Sequence, residues 1–136
     1  GSFAFGAKPA SACSCAGDAS FSDKLKHADA IFSGEVKAIR PALFSSEWNA
    51  EEVTFDVQQA WSDQVHKRMA VETSQDSASC GYEFEKEKSY LVYAAYDDRG
   101  ALLTHLCSGN DQLGNAKATK DMSQLNAQAT SYKNGK

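Results

Sequence analysis

The chain has 136 residues, 42% hydrophobic and 24% charged, with 14 basic against 18 acidic side chains and a net charge of −4. That is the size of one domain with its own core, and the composition excludes general disorder. The acidic balance argues against a nucleic-acid binder, which needs a concentrated basic face, and the longest apolar run, Tyr90 to Tyr96, falls well short of the roughly 20 residues of a membrane helix.

Gly1-Ser2 reads as a cloning remnant, and small side chains dominate residues 3–12. This stretch ends Ala10-Ser11-Ala12 just before Cys13, the A-x-A shape of a signal-peptidase site. Residues 1–12 are therefore expected to be a scar plus a signal-peptide tail, and residues 13–136 the domain. Cys13 is then the natural first residue, and the compartment is secreted, extracellular or periplasmic, where disulfides form.

Ser20 to His27 is expected to be a short helix: Ser20 caps it, Asp23 holds the capping-box position, and Phe21 and Leu25 lie one turn apart. Ala30 to Ile39 reads as a strand in which Gly34 marks a bulge or bend, and Arg40 to Ala50 as a loop. Glu51 to Trp61 is the clearest strand, with Val53, Phe55 and Val57 alternating with Thr54, Asp56 and Gln58. A third strand runs from about Arg68 to Thr73. The mixed charges of Glu83-Phe84-Glu85-Lys86-Glu87-Lys88 read as a surface loop or edge. Tyr90–Tyr96 and Ala101–Cys107 are predicted strands on either side of the hairpin loop Asp97-Asp98-Arg99-Gly100. Thr119–Tyr132 is predicted helical, with Met122, Leu125, Ala129 and Tyr132 on one face and Asn134-Gly135 ending it. The expected fold is mainly β with flanking helices. Five short strands allow a small barrel or a sandwich, and a five-stranded OB-fold barrel fits the count.

The four cysteines carry the most information. Cys13 and Cys15 flank a single residue, so a bond between them would close an unfavourably small ring. In an extended segment they point to the same side and can meet separate partners among Cys80 and Cys107. Four cysteines allow three connectivities. A zinc site built from all four is the competing reading, but the usual spacing of two to four residues between paired cysteines is missing.

Cys13-Ser14-Cys15 resembles the Cys-x-Cys start of the tissue inhibitors of metalloproteinases, members of the netrin-like OB-fold superfamily. Ala30-Ile31-Phe32-Ser33-Gly34-Glu35-Val36 resembles their first strand, Ser79-Cys80-Gly81-Tyr82 their Cys-Gly-Tyr segment, and Gly100-Ala101-Leu102-Leu103 with Cys107-Ser108 a later strand. The likeness runs in order from Cys13 to the final helix, in the manner of a single-domain bacterial secreted relative. The chain departs from the animal members in lacking the third disulfide of their N-terminal domain and their C-terminal subdomain. The resemblance implies an OB-fold, the pairing Cys13–Cys80 and Cys15–Cys107, and a segment around Ala78-Ser79 beside the N-terminus. It further implies a secreted inhibitor in which Cys13, as first residue, chelates a protease's catalytic zinc through its amino nitrogen and carbonyl oxygen. Ser14, Cys15 and Ala16 would then lie along the cleft, with Ala78 and Ser79 as a second edge.

No His-Glu-x-x-His, Gly-x-Ser-x-Gly or phosphate-loop motif is present, so no enzyme is expected, and no cofactor. His27, His66 and His105 read as exposed or capping side chains, and the paired carboxylates Glu51-Glu52 and Asp97-Asp98 as solvated. Trp61 is expected to pack, while Trp48, in a polar loop, is a candidate contact residue. The expected partner is a zinc metalloprotease. The alternative is a netrin-like extracellular module that binds another protein without inhibiting a protease. A monomer is expected, with no membrane span and no nucleic-acid partner.

Overall fold

The computed structural model describes residues 13–15, 17, 19–43, 45, 49–75 and 79–134, with side chains as far as residue 128. Helix α1 (Phe21–His27) begins where Ser20 Oγ accepts the Asp23 N–H at 3.1 Å, the cap expected from the sequence. Among the described residues six strands follow: β1 (Ala30–Pro41), β2 (Ala50–Ala60), β3 (Arg68–Ser74), β4 (Ser89–Tyr96), β5 (Leu102–Leu103) and β6 (Asp111–Gln112). Helix α2 (Ala116–Asn134) ends the described chain.

β1 pairs with β2 along one edge and with β4 along the other. β2 pairs with β3, β3 runs parallel to β5, and β5 lies antiparallel to β4. The ladder thus returns to its first strand and closes a five-stranded OB-like barrel in the order β1-β2-β3-β5-β4. β6 adds a short pairing to β4 at Tyr90 and Leu91. To serve two neighbours, β1 must bend, and its register slips between Ser33 and Gly34. A Cβ on Gly34 would stand 2.8 Å from Asp56 O, so this close crossing requires glycine. A second slip, between Val36 and Ala38, carries no glycine signal.

Alternation along the strands sorts the side chains into two layers. Phe32, Val36, Val53, Phe55, Val71 and Val92 fill the barrel interior, where Phe32 and Phe55 meet edge to face at 5.3 Å. Ile31, Leu91 and Tyr93 point outward and are covered by Ala118 and Leu125 of α2, with Phe21, Leu25, Trp61 and Met122 at the margin. Each fully buried large side chain contributes roughly 1.5–3 kcal/mol.

Several boundaries differ from the sequence reading. Ala101–Cys107 is not one strand: only Leu102–Leu103 pairs, and the chain then turns. Arg40 and Pro41, expected in a loop, extend β1. Trp61 lies past the end of β2, although its N–H still donates to Ile31 O at 2.9 Å. Helix α2 starts three residues early, where Asp111 Oδ2 accepts the Ala118 N–H at 3.1 Å. In the charged stretch Glu83–Lys88, Phe84 is buried in the barrel, 5.2 Å from the Phe55 ring. The side chains of Ala129 and Tyr132, and Gly135, lie outside the described residues.

Candidate functional site

The N-terminal cysteines reach different partners. Cys13 is bonded to Cys80 and Cys15 to Cys107, with Cα–Cα distances of 5.4 and 5.5 Å and sequence separations of 67 and 92. This is the pairing the resemblance implied. It overturns the four-cysteine zinc site, since every sulfur is held in a bridge. Among the described residues no group of three or more His, Cys, Asp and Glu side chains is placed to hold a metal ion.

The two bridges pin Cys13-Ser14-Cys15 against the barrel. Cys13 is buried, while Ser14, Cys15 and Ser79 are exposed. The partner strip is held from below. Gly81 lies so close to β3 that a Cβ there would overlap Ser74 O, and the Tyr82 N–H donates to Thr73 Oγ1 at 3.0 Å. Cys80 itself sits at φ +66°, a conformation that costs a non-glycine residue roughly 1–3 kcal/mol and that its surroundings must impose. The Leu106 N–H donates to Cys80 O at 2.7 Å, tying this strip to the Cys107 turn. Of the expected contact residues, the structure thus brings Cys13, Ser14, Cys15 and Ser79 together, beside the bridge partners Cys80 and Cys107. Ala16, Ala78 and Trp48 lie outside the described residues.

Two concavities border this ridge. A cavity of about 290 Å³ is walled by Ala50, Ser79, Cys80, Leu103 and Thr104. A wider groove of about 750 Å³ runs between α1 and the Cys15–Cys107 bridge, past Lys24, His27, Tyr96 and Ser108. Both volumes are close to or within the ordinary range for binding sites. Tyr96 and Leu106 stand exposed nearby, at 42% and 40%.

Electrostatics stiffen the β4–β5 turn that leads into the Cys107 segment. Arg99 bridges Glu72 at 2.9 Å and Asp97 at 2.8 Å. Desolvation, the largest single influence, pushes the Asp97 carboxyl upward. Hydrogen bonds from the Ala101 N–H, the Arg99 guanidinium and the Arg99 N–H outweigh it and hold the carboxyl below its ordinary range. Asp97 therefore organises a turn rather than being merely solvated. Glu51 moves the other way, raised by burial. The three histidines are exposed, as expected: His27 Nδ1–H donates to Asp23 O at 2.9 Å, and His105 Nδ1 accepts the Cys107 N–H at 3.2 Å.

The residues under the ridge were not singled out by sequence. Lys24 and Asp121 form a buried ion pair of 2.7 Å between the helices. Thr104 and Asn110 are buried on either side of Cys107. A signal existed for the turn: Cys107-Ser108-Gly109-Asn110 is rich in turn formers and argues against a strand through Cys107. No family model matches the chain, and no curated protein matches it. Among the described residues no helix is long and apolar enough to cross a membrane. The two disulfides are compatible with an extracellular or other oxidising compartment.

Proposed function

We propose that the domain is a secreted inhibitor of zinc metalloproteases, acting through Cys13 once Cys13 is the first residue of the chain. The observation that carries this reading is the doubly pinned N-terminal ridge, with exposed Ser14, Cys15 and Ser79 around a buried Cys13. The Cys13 sulfur is taken up by Cys80, so the donors left at this residue are its nitrogen and its carbonyl oxygen. Together they form a five-membered chelate on a metal. The catalytic zinc of a protease keeps one position open for water, and that water becomes the nucleophile. The Cys13 nitrogen takes that position and hydrolysis stops. A free α-amino group titrates near pH 7.7–8.0, so zinc readily displaces its proton. Because both bridges fix the ridge before the encounter, little conformational entropy is lost on binding.

While residues 1–12 precede it, Cys13 N is an amide nitrogen without a lone pair to donate. The test compares two forms, one starting at Gly1 and one trimmed to start at Cys13, across a panel of zinc metalloproteases. The trimmed form should inhibit at least about a hundredfold better, equivalent to about 2.7 kcal/mol. Equal potency of the two forms would overturn chelation. The exposed Tyr96 and Leu106 beside the ridge favour a second reading, an extracellular module that binds a protein without blocking a protease. A protease pulled down equally by both forms, and left active, would support it.

A further inference from the structure

We infer that Lys24 is a positioning residue for the ridge: its buried ion pair with Asp121 locks α1 and the Cys107 turn onto β4 and so fixes the Cys15–Cys107 bridge. A lysine on a seven-residue surface helix ordinarily keeps its ammonium in water. This one is 6% exposed. Its Nζ lies 2.7 Å from Asp121 Oδ2 and 5.5 Å from the centre of the Tyr93 ring. The same Asp121 oxygen accepts the Tyr93 hydroxyl at 2.7 Å. α1, α2 and β4 therefore meet at one carboxylate.

The connection to the ridge runs through two further contacts. The Lys24 stem lies over Gly109, two residues after Cys107, where a Cβ would stand 2.7 Å from Lys24 Cδ. Gly109 is at φ +106°, so glycine is required there on both counts. Next, the backbone of Tyr93 grips the same turn. Its N–H donates to Asn110 Oδ1 at 2.7 Å, its carbonyl accepts Thr104 Oγ1–H at 2.8 Å, and Asn110 Nδ2 donates to Thr104 Oγ1 at 2.7 Å. Cys107 is held between Thr104 and Asn110, and Cys15 is held by Cys107. Replacing a buried ion pair with uncharged side chains is often neutral for stability. The role proposed for this pair is therefore geometric: it sets one position for the segment carrying the bridge.

The test uses the double variant Lys24→Met/Asp121→Asn, which removes both charges but keeps an acceptor for the Tyr93 hydroxyl. Amide hydrogen exchange is read at Gly17, Leu106 and Ser108, whose N–H groups are bonded to Cys15, Cys80 and His105. Exchange there should accelerate at least about tenfold, with β2 amides such as that of Val53 unchanged. Unchanged ridge exchange in the folded double variant would overturn the proposal. Should the double variant not fold, exchange in the unaltered chain decides. The Tyr93, Leu106, Ser108 and Gly17 amides should open as one unit, and independent opening of Gly17 would overturn it. The consequence for binding rests on the inhibitor reading: the trimmed double variant should dissociate from its protease faster. If the trimmed parent inhibits nothing, that reading fails while the exchange result still stands.

Discussion

At Gly81 the strip carrying Ser79 and Cys80 lies directly on β3, and two facing residues there should respond oppositely to truncation or growth. Gly81→Ala drives a methyl into Ser74 O and should destabilise the fold by about 1–3 kcal/mol in urea unfolding. Among the described residues the buried Ser74 Oγ has no hydrogen-bond partner, so Ser74→Ala should be neutral or stabilising by about 1 kcal/mol. The tyrosines make a pH prediction. Burial first, then the Asp111 and Tyr90 charges, push Tyr82 up to about 12, and burial also raises Tyr90 and Tyr93. Unfolded, these phenols ionise near pH 10, so the stability from keeping them neutral is complete below that pH. It is lost as pH rises toward about 12 for Tyr82. Phenolate absorbance from Tyr82, Tyr90 and Tyr93 should therefore appear together with alkaline unfolding. Ionisation of Tyr82 near pH 10 in the folded chain would contradict this. Residues such as Ser20 and Gly34 were legible in the sequence because their signals are local. Lys24 was not, because its partner lies 97 positions away and only the fold brings them together.

Elements were legible where one face stays regular. β2 alternates cleanly between barrel interior and exterior, and its pattern survives into the structure. Phe84 was masked by the five charged residues around it, which stay exposed while its ring enters the barrel. The predicted strand through Cys107 failed because Thr104 and Asn110 satisfy the backbone of Tyr93, so β4 has no need of a full-length partner there. β6, two residues long, offers no periodicity to read. Of the predicted face of helix α2, Met122 and Leu125 pack over β4, and Leu125 is 3% exposed. Leu125→Ala should cost about 2–5 kcal/mol by thermal or urea unfolding. A loss under 1 kcal/mol would mean that α2 contributes little to this layer.

Across the whole molecule, a closed barrel supplies rigidity and two long-range bridges carry it to the N-terminal ridge. Removing the outer bridge with Cys15→Ser/Cys107→Ser should cost about 2–5 kcal/mol, since it closes a span of 92 positions. A mainly β fold with flanking helices was readable from strand count and patterning, which fit a barrel or a sandwich alike; the choice of a barrel came from the resemblance. The ridge was readable only through the resemblance, because pairing among cysteines is decided by distance in the fold. On the proposed inhibitor reading, function at the ridge comes down to one nitrogen. A free α-amine is ordinarily less basic than a lysine ammonium by about two pH units or more, so in the chain trimmed to begin at Cys13 mild acetylation near neutral pH should favour the α-amine. Inhibition of a sensitive zinc metalloprotease should disappear on that modification, with both disulfides and the melting temperature unchanged. Full inhibition by the acetylated chain would contradict chelation by Cys13.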